Sequence, residues 1–148
     1  MTINARICCS FMRFKTPSGD SPITANHRIG KFSRIPLKIT YGNTSFLFTG
    51  DAESDEEEEI LNSGADLKST VLKVGHHGSR TSTSYPFLRE VMPQYAVISV
   101  EKGNSYGHPN EDTLSKLSDA GVEVYRTDES GDIVMTSDGN SINIVTAK

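Results

Sequence analysis

Long apolar runs, spaced cysteines and, over the first quarter of the chain, acidic residues are what this sequence has little of. No apolar stretch approaches the ~18 residues that a membrane-spanning helix needs. The early stretch "RICCSFMRF" is too short and too broken by arginine to read as a secretory signal. With 35% hydrophobic and 23% charged residues in a chain of 148, what remains is one ordinary globular domain with enough length to bury a core. Taken as it stands, such a chain is expected in the cytoplasm. The two cysteines, Cys8 and Cys9, are adjacent, which excludes the spaced pairs of zinc sites and disulfide frameworks; they read as reduced thiols.

The shortage of early acid divides the chain. Residues 1–36 hold Arg6, Arg13, Lys15, Arg28, Lys31 and Arg34 against Asp20 alone, whereas acidic residues outnumber basic ones in the rest. This first stretch lacks clean periodicity, and its "TPSGDSP" cluster has the chemistry of a loop. It is expected to be a separate, poorly ordered or non-homologous arm. Contact with nucleic acid is the functional reading of a basic arm, but neither aromatic interleaving nor a recognisable module accompanies the charge here.

From Leu37 the pattern becomes regular. "LKITYGNTSFLFTGD" predicts a hairpin turning at Gly42 and Asn43, with Phe46 to Phe48 returning as a buried strand. "AESDEEEEILNSG" predicts a helix whose acidic opening suits the positive end of the helix dipole and whose Gly64 suits the C-terminal cap. On this reading the acids from Asp55 to Glu59 are a solvated helix start. The strand "STVLKV" follows, then a short helix from about Ser84 with Pro86 in its first turn. "YAVISV" is a further strand. Asn110 caps a helix that carries Leu114 and Leu117 on one face, and Gly121 closes it. "VEVYRT", "DIVMT" and "SINIVT" complete the chain as strands, the last two joined across Asp138 and Gly139. Alternating strands and helices make the class α/β, a mixed sheet with flanking helices and a closing β-hairpin.

Polar residues punctuate this pattern at one kind of place. Asp51, His76 with His77, and His108 each follow an apolar strand, so neighbouring strands would gather them at one sheet edge, where α/β folds tend to place ligands. A carboxylate with neutral imidazoles is a natural ligand set for zinc, manganese or iron. Gly78 lets the backbone pass closely, and the Ser79 hydroxyl suits a phosphate oxygen. Each residue also has a plainer reading: Asp51 as a helix cap, Gly-His-Pro at 107–109 as a turn, the adjacent histidines as an exposed strand edge, and Lys73 as a solvent-facing strand residue.

The fragments "FLFTGD", "VLKVGHHGS", "YAVIS", "NSYGHP" and "VYRTDESGDI", in that order, resemble the second half of the metallo-β-lactamase-fold domain of ComEC-type competence proteins. The likeness runs from Leu37 to about Val145, roughly three quarters of the chain. It implies half of a metallo-β-lactamase-like αββα sandwich and metal-dependent hydrolysis of phosphodiesters in DNA, a domain that in this family acts outside the cytoplasmic membrane. Carried over by position, Asp51 and His77 correspond to metal ligands. His76 corresponds to a phosphate contact or proton donor, and His108 to a substrate-side proton donor; Ser79 is the candidate substrate contact. The implied cofactor is a divalent metal, zinc or manganese.

The HxHxDH cluster that opens the family's fold has no counterpart, and His27 is the only histidine before His76. Two convincing ligands fall short of the three that a catalytic zinc commonly takes. The metal is therefore expected to be weakly held or absent in this chain alone. Half a sandwich should also expose an apolar sheet face and favour oligomers or docking to a complementary first half. A non-catalytic fragment or interaction module is the alternative to an enzyme.

Overall fold

The computed structural model describes residues 36–147, together with the backbone of three strands before them: β1 (Ile3–Ile7), β2 (Met12–Lys15) and β3 (Thr24–His27). The Cys8–Cys9 pair, the "TPSGDSP" loop and, of the arm's basic residues, Arg28, Lys31 and Arg34 lie outside the described residues.

The expected hairpin forms as β4 (Leu37–Tyr41) and β5 (Thr44–Phe48), paired antiparallel from Leu37↔Phe48 to Tyr41↔Thr44. Every residue of β5 is buried, as befits a central strand covered on both faces. Three crossovers follow. Helix α1 (Ser54–Asn62) leads to β6 (Val71–Lys73), α2 (Tyr85–Val91) to β7 (Tyr95–Ile98), and α3 (Glu111–Asp119) to β8 (Glu123–Arg126). Strands β5, β6, β7 and β8 lie side by side and parallel in a sheet ordered β3-β4-β5-β6-β7-β8. After a short helix α4 (Thr127–Ser130), β9 (Asp132–Ser137) and β10 (Ile142–Ala147) form the closing hairpin.

The helix ends obey the local chemistry. Ser84 accepts a hydrogen bond from Phe87 N at 3.4 Å and Asn110 from Asp112 N at 3.1 Å, each relieving one orphan N–H of a first turn. The cap of α1 is Glu53, whose own N–H donates to the Glu56 carboxylate at 3.0 Å. Asp51 is therefore not the helix cap.

Period-2 alternation sends the sheet's side chains to two cores. On one face Leu47, Leu72, Ala96 and Ile98 pack against Ile60, Phe87, Leu88, Val91 and Leu117 of the helices. On the other, Ile39, Phe46, Phe48, Val71 and Val97 pack against Ile133 and Met135 of β9. The expected bare apolar face is thus covered: β9 brings a second sheet, ordered β10-β9-β1-β2, over it. The sequence shows β9 and β10 as a closing hairpin but not which face they cover, because a hairpin's partner face is not encoded locally. The described layers are helix, sheet, sheet. Among the described residues no helix is long and apolar enough to cross a membrane.

Two further expectations are corrected. Glu57, assigned to a solvated helix face, is buried, and its carboxylate accepts hydrogen bonds from Thr83 N and, at 2.8 Å, from Ser84 N. Burial outweighs these bonds and raises its pKa above the ordinary carboxylate value. Lys73, assigned to solvent, shares its sheet face with Val71 in the central strand β6 and turns its ammonium onto the Val74 carbonyl at 2.9 Å.

If the second sheet is an integral cover, Met135→Ala should cost about 2–5 kcal/mol, the range for removing a fully buried methionine side chain. Urea denaturation measures this. A loss below about 1 kcal/mol would show that the sheets are loosely associated.

Candidate functional site

Because β5, β6 and β7 are parallel, the segments that follow them emerge at one edge. After β5 comes a tight turn, Ala52 N to Thr49 O at 3.2 Å, which leaves Asp51 exposed. After β6 comes a 3-10 turn, Gly75–Gly78, that carries both histidines. After β7 comes Ser99 and then the loop that ends in His108 and Pro109.

The histidine turn is strained. His76 (φ 46, ψ 45) and His77 (φ 54, ψ 23) both occupy the left-handed region, which disfavours residues with a Cβ by roughly 1–2 kcal/mol each. Neighbouring groups hold the turn. His76 N donates to Gly50 O at 3.0 Å, tying it to the Asp51 turn. Ser79 N donates to His76 O at 2.9 Å, and the Ser82 hydroxyl donates to Gly75 O at 3.0 Å. Gly75 and Gly78 are the close-approach positions. A Cβ at Gly75 would lie 2.9 Å from Ala52 O, and one at Gly78, where φ is 80, would lie 2.7 Å from the Pro109 Cβ. The histidine turn therefore packs directly between the loops from β5 and β7.

This scaffold orients each imidazole differently. His77 Nδ1 lies 2.6 Å from the Ser99 carbonyl, and since a carbonyl only accepts, Nδ1 carries the proton. The exposed ring then presents Nε2 with its lone pair outward, the arrangement of metal-binding histidines oriented by a backbone carbonyl. His76 Nδ1 stands 2.7 Å from Glu53 Oε1, an ion-pair distance without hydrogen-bond alignment. His108 meets His76 edge-on, with ring centroids 5.8 Å apart at 67°, and its buried Nδ1 has no hydrogen-bond partner. Burial first, and then the neighbouring His76 and His77, push the His108 pKa below the ordinary imidazole value.

Of the residues singled out from the sequence, His76, His77 and His108 thus come together, and the Asp51 turn is bonded to them through Gly50. Ser79 is buried at the base of the turn, its hydroxyl 3.0 Å from that of Thr81. Sequence reasoning missed Glu53 and Lys73. Glu53 was hidden in an acidic run that reads as solvated; Lys73 lies in "VLKV", where an alternating polar position predicts exposure. Burial pulls the Lys73 pKa from 10.5 down to about 8, against a smaller raising effect of Asp51.

Among the described residues, no three His, Cys, Asp or Glu side chains converge closely enough to hold a metal ion. Asp51 and the free Nε2 of His77 are donors of the right chemistry, but they do not make up a complete centre by themselves.

The geometry defines a mixed α/β domain that gathers imidazoles at the carboxyl edge of parallel strands. Its homologues are competence proteins. The chain is 37% identical over 118 residues to ComE operon protein 3 of Bacillus subtilis, covering 80% of this chain and 15% of that protein. It is 42% identical over 96 residues to competence protein ComA of Neisseria gonorrhoeae, 64% of this chain and 14% of that protein. Recombination protein 2 of Haemophilus influenzae matches at 38% over 97 residues, 66% of this chain and 12% of that protein. The chain therefore spans about one seventh of the length of these relatives. No protein-family profile matches it.

Two measurements test the local physics. His77→Gly and His77→Ala lose the same imidazole and differ in backbone preference, so at φ 54 the glycine variant should be the more stable by about 1 kcal/mol, against the usual order. Equal stabilities would mean that the turn is not strained. The depressed Lys73 pKa makes a second prediction. Below pH 8 the ammonium is charged in both folded and unfolded chains, and the cost of burying it is fully present; between about 8 and 10.5 the folded lysine is neutral, so stability should rise with pH. Relative to Lys73→Met, the wild type should gain roughly 3 kcal/mol across that window in urea melts. A constant difference between the two proteins would show that the ammonium is solvated.

Proposed function

We propose that this chain is the later part of a metallo-β-lactamase-like hydrolase domain with a ComEC-like role in competence, acting on phosphodiesters of DNA. The observation that carries this reading is the His77 tautomer. Its Nδ1–H is committed to the Ser99 carbonyl, which aims a lone pair outward from an edge where His76, His108 and the exposed Asp51 also lie. The names and identities of the homologues support the competence role.

In this reading Asp51 and His77 supply donors to a divalent ion, zinc or manganese, whose remaining ligands come from a complementary first half with an HxHxDH cluster. When bound, that ion supplies electrostatic stabilisation of a phosphoryl group. Hydrolysis adds water across a phosphorus–oxygen bond, and the departing oxygen needs a proton. His108, edge-on to His76, is the donor once a bound negative phosphate offsets the burial that lowers its pKa; His76 contacts the phosphate, with Glu53 at ion-pair distance from its ring. Ser79 lies beneath this surface and acts on substrate through the shape of the turn.

The purified chain alone should retain zinc or manganese at sub-stoichiometric occupancy after dialysis. Mixed with a first half that bears the HxHxDH cluster, it should cleave DNA only with added divalent metal. His77→Ala should abolish that cleavage. His76→Ala should weaken it less, and His108→Ala should slow turnover with metal content unchanged. Cleavage that survives replacement of both adjacent histidines would remove them from the chemistry. Stable docking of the halves without cleavage would favour the non-catalytic interaction module.

A further inference from the structure

The loop between β7 and α3 holds out an aromatic ring that the protein's own packing does not require. Tyr106 is 81% exposed, the most open large hydrophobic side chain described. It is nevertheless held in place. One side chain, Asn104, fixes the loop on both sides of the ring. Its Oδ1 accepts from Tyr106 N at 3.2 Å and His108 N at 3.1 Å, while its Nδ2 donates to Glu101 O at 3.0 Å and His108 O at 2.6 Å. The Tyr106 ring stacks on His108 with centroids 5.9 Å apart and planes within 21°. One face of the tyrosine is therefore against the imidazole, and the other opens to solvent.

A flat ring held rigid with one face free matches one kind of ligand, another flat ring. Position narrows the choice further. His108 lies between Tyr106 and His76, so the free face is one ring removed from the imidazole pair and turned away from it. Lys102 is exposed on the same loop beside an exposed Glu101, so the loop's own charges balance. A polymer that carries a flat ring beside each negative phosphate fits both the free face and the imidazoles beyond it. In a duplex, both faces of every internal base are covered by stacked neighbours; in a single strand they are free to stack on protein.

We propose that Tyr106 is a stacking platform for a base of a single-stranded nucleic acid that has a phosphate held at the histidine edge. The proposal rests on the phosphodiester reading of the same site and deepens it, because it selects single strands over duplex. Stacking needs the ring and not the hydroxyl, so phenylalanine suffices at this position. The clamp by Asn104 means that little of the binding free energy goes into ordering the loop.

Fluorescence anisotropy at low ionic strength with the full chain tests this, using a labelled thymidine dodecamer, an abasic dodecamer with the same phosphates, and a blunt duplex. The single strand should bind more tightly than either of the others. Tyr106→Ala should weaken the thymidine strand about tenfold and leave the abasic strand unchanged, while Tyr106→Phe should stay within about twofold of wild type. The exposure of Tyr106 keeps both variants folded. Equal binding of thymidine and abasic strands, unaffected by Tyr106→Ala, would overturn the platform and leave the phosphodiester reading standing. Equal weakening of both strands by Tyr106→Ala would overturn it as well, since the ring would then act through the loop. If the wild type binds none of the three even when mixed with the HxHxDH-bearing first half and divalent metal, the phosphodiester reading falls, and the platform with it.

Discussion

Four strands that run the same way must all end at the same edge, and that single constraint assembles the site. A parallel pair cannot be joined by a tight turn; each return needs a crossover, here a helix, and each crossover delivers the chain back to the starting edge. The segments after β5, β6 and β7 are separated by two helices in sequence, yet they meet as Asp51, the two histidines and Ser99. Burial fixes the direction and register of the strands, because a slip of one residue would carry Leu47 and Leu72 out of the helical core and send Phe46 and Val71 into it.

Within that edge, strain and anchorage are matched. Two consecutive left-handed histidines are unfavourable in any isolated chain. Here the turn is bonded to Gly50 on one side and through the His77 ring to Ser99 on the other, while the Glu57 carboxylate secures the segment just beyond it. The buried carboxylate gives helix α1 a second task besides spanning from β5 to β6. It accepts the N–H groups of Thr83 and Ser84 just before α2, and so holds the chain leaving the histidine turn against the helix layer.

The sequence made legible whatever depends on local pattern. The Gly42–Asn43 turn, the Ser84 and Asn110 caps, the order of strands and helices and the placement of Asp51, His76, His77 and His108 after strands all follow from period, turn chemistry and capping. What it concealed depends on contacts between distant segments. Glu57 looks like its acidic neighbours until the Thr83 and Ser84 N–H groups arrive, 26 and 27 residues away. Lys73 looks exposed until a second sheet is laid over its face, and that cover is supplied by residues 132–147, about sixty positions later. The tautomer of His77 was also out of reach, since it depends on the Ser99 carbonyl 22 residues away.

One contact at the opposite end of the sandwich sets its shape. There the β4–β5 turn meets the β9–β10 turn backbone to backbone: Asn43 N donates to Gly139 O at 2.6 Å, and a Cβ at Gly42 would lie 2.4 Å from that same oxygen. Sheets separated by ordinary side chains stand about 10 Å apart, a spacing that peptide-to-peptide contact cannot keep. The two layers therefore touch backbone to backbone at the turns, while Phe46, Phe48 and Met135 fill the space between the sheets further along. A single methyl group added at Gly42 would force these turns apart, at the end of the sandwich opposite the histidines.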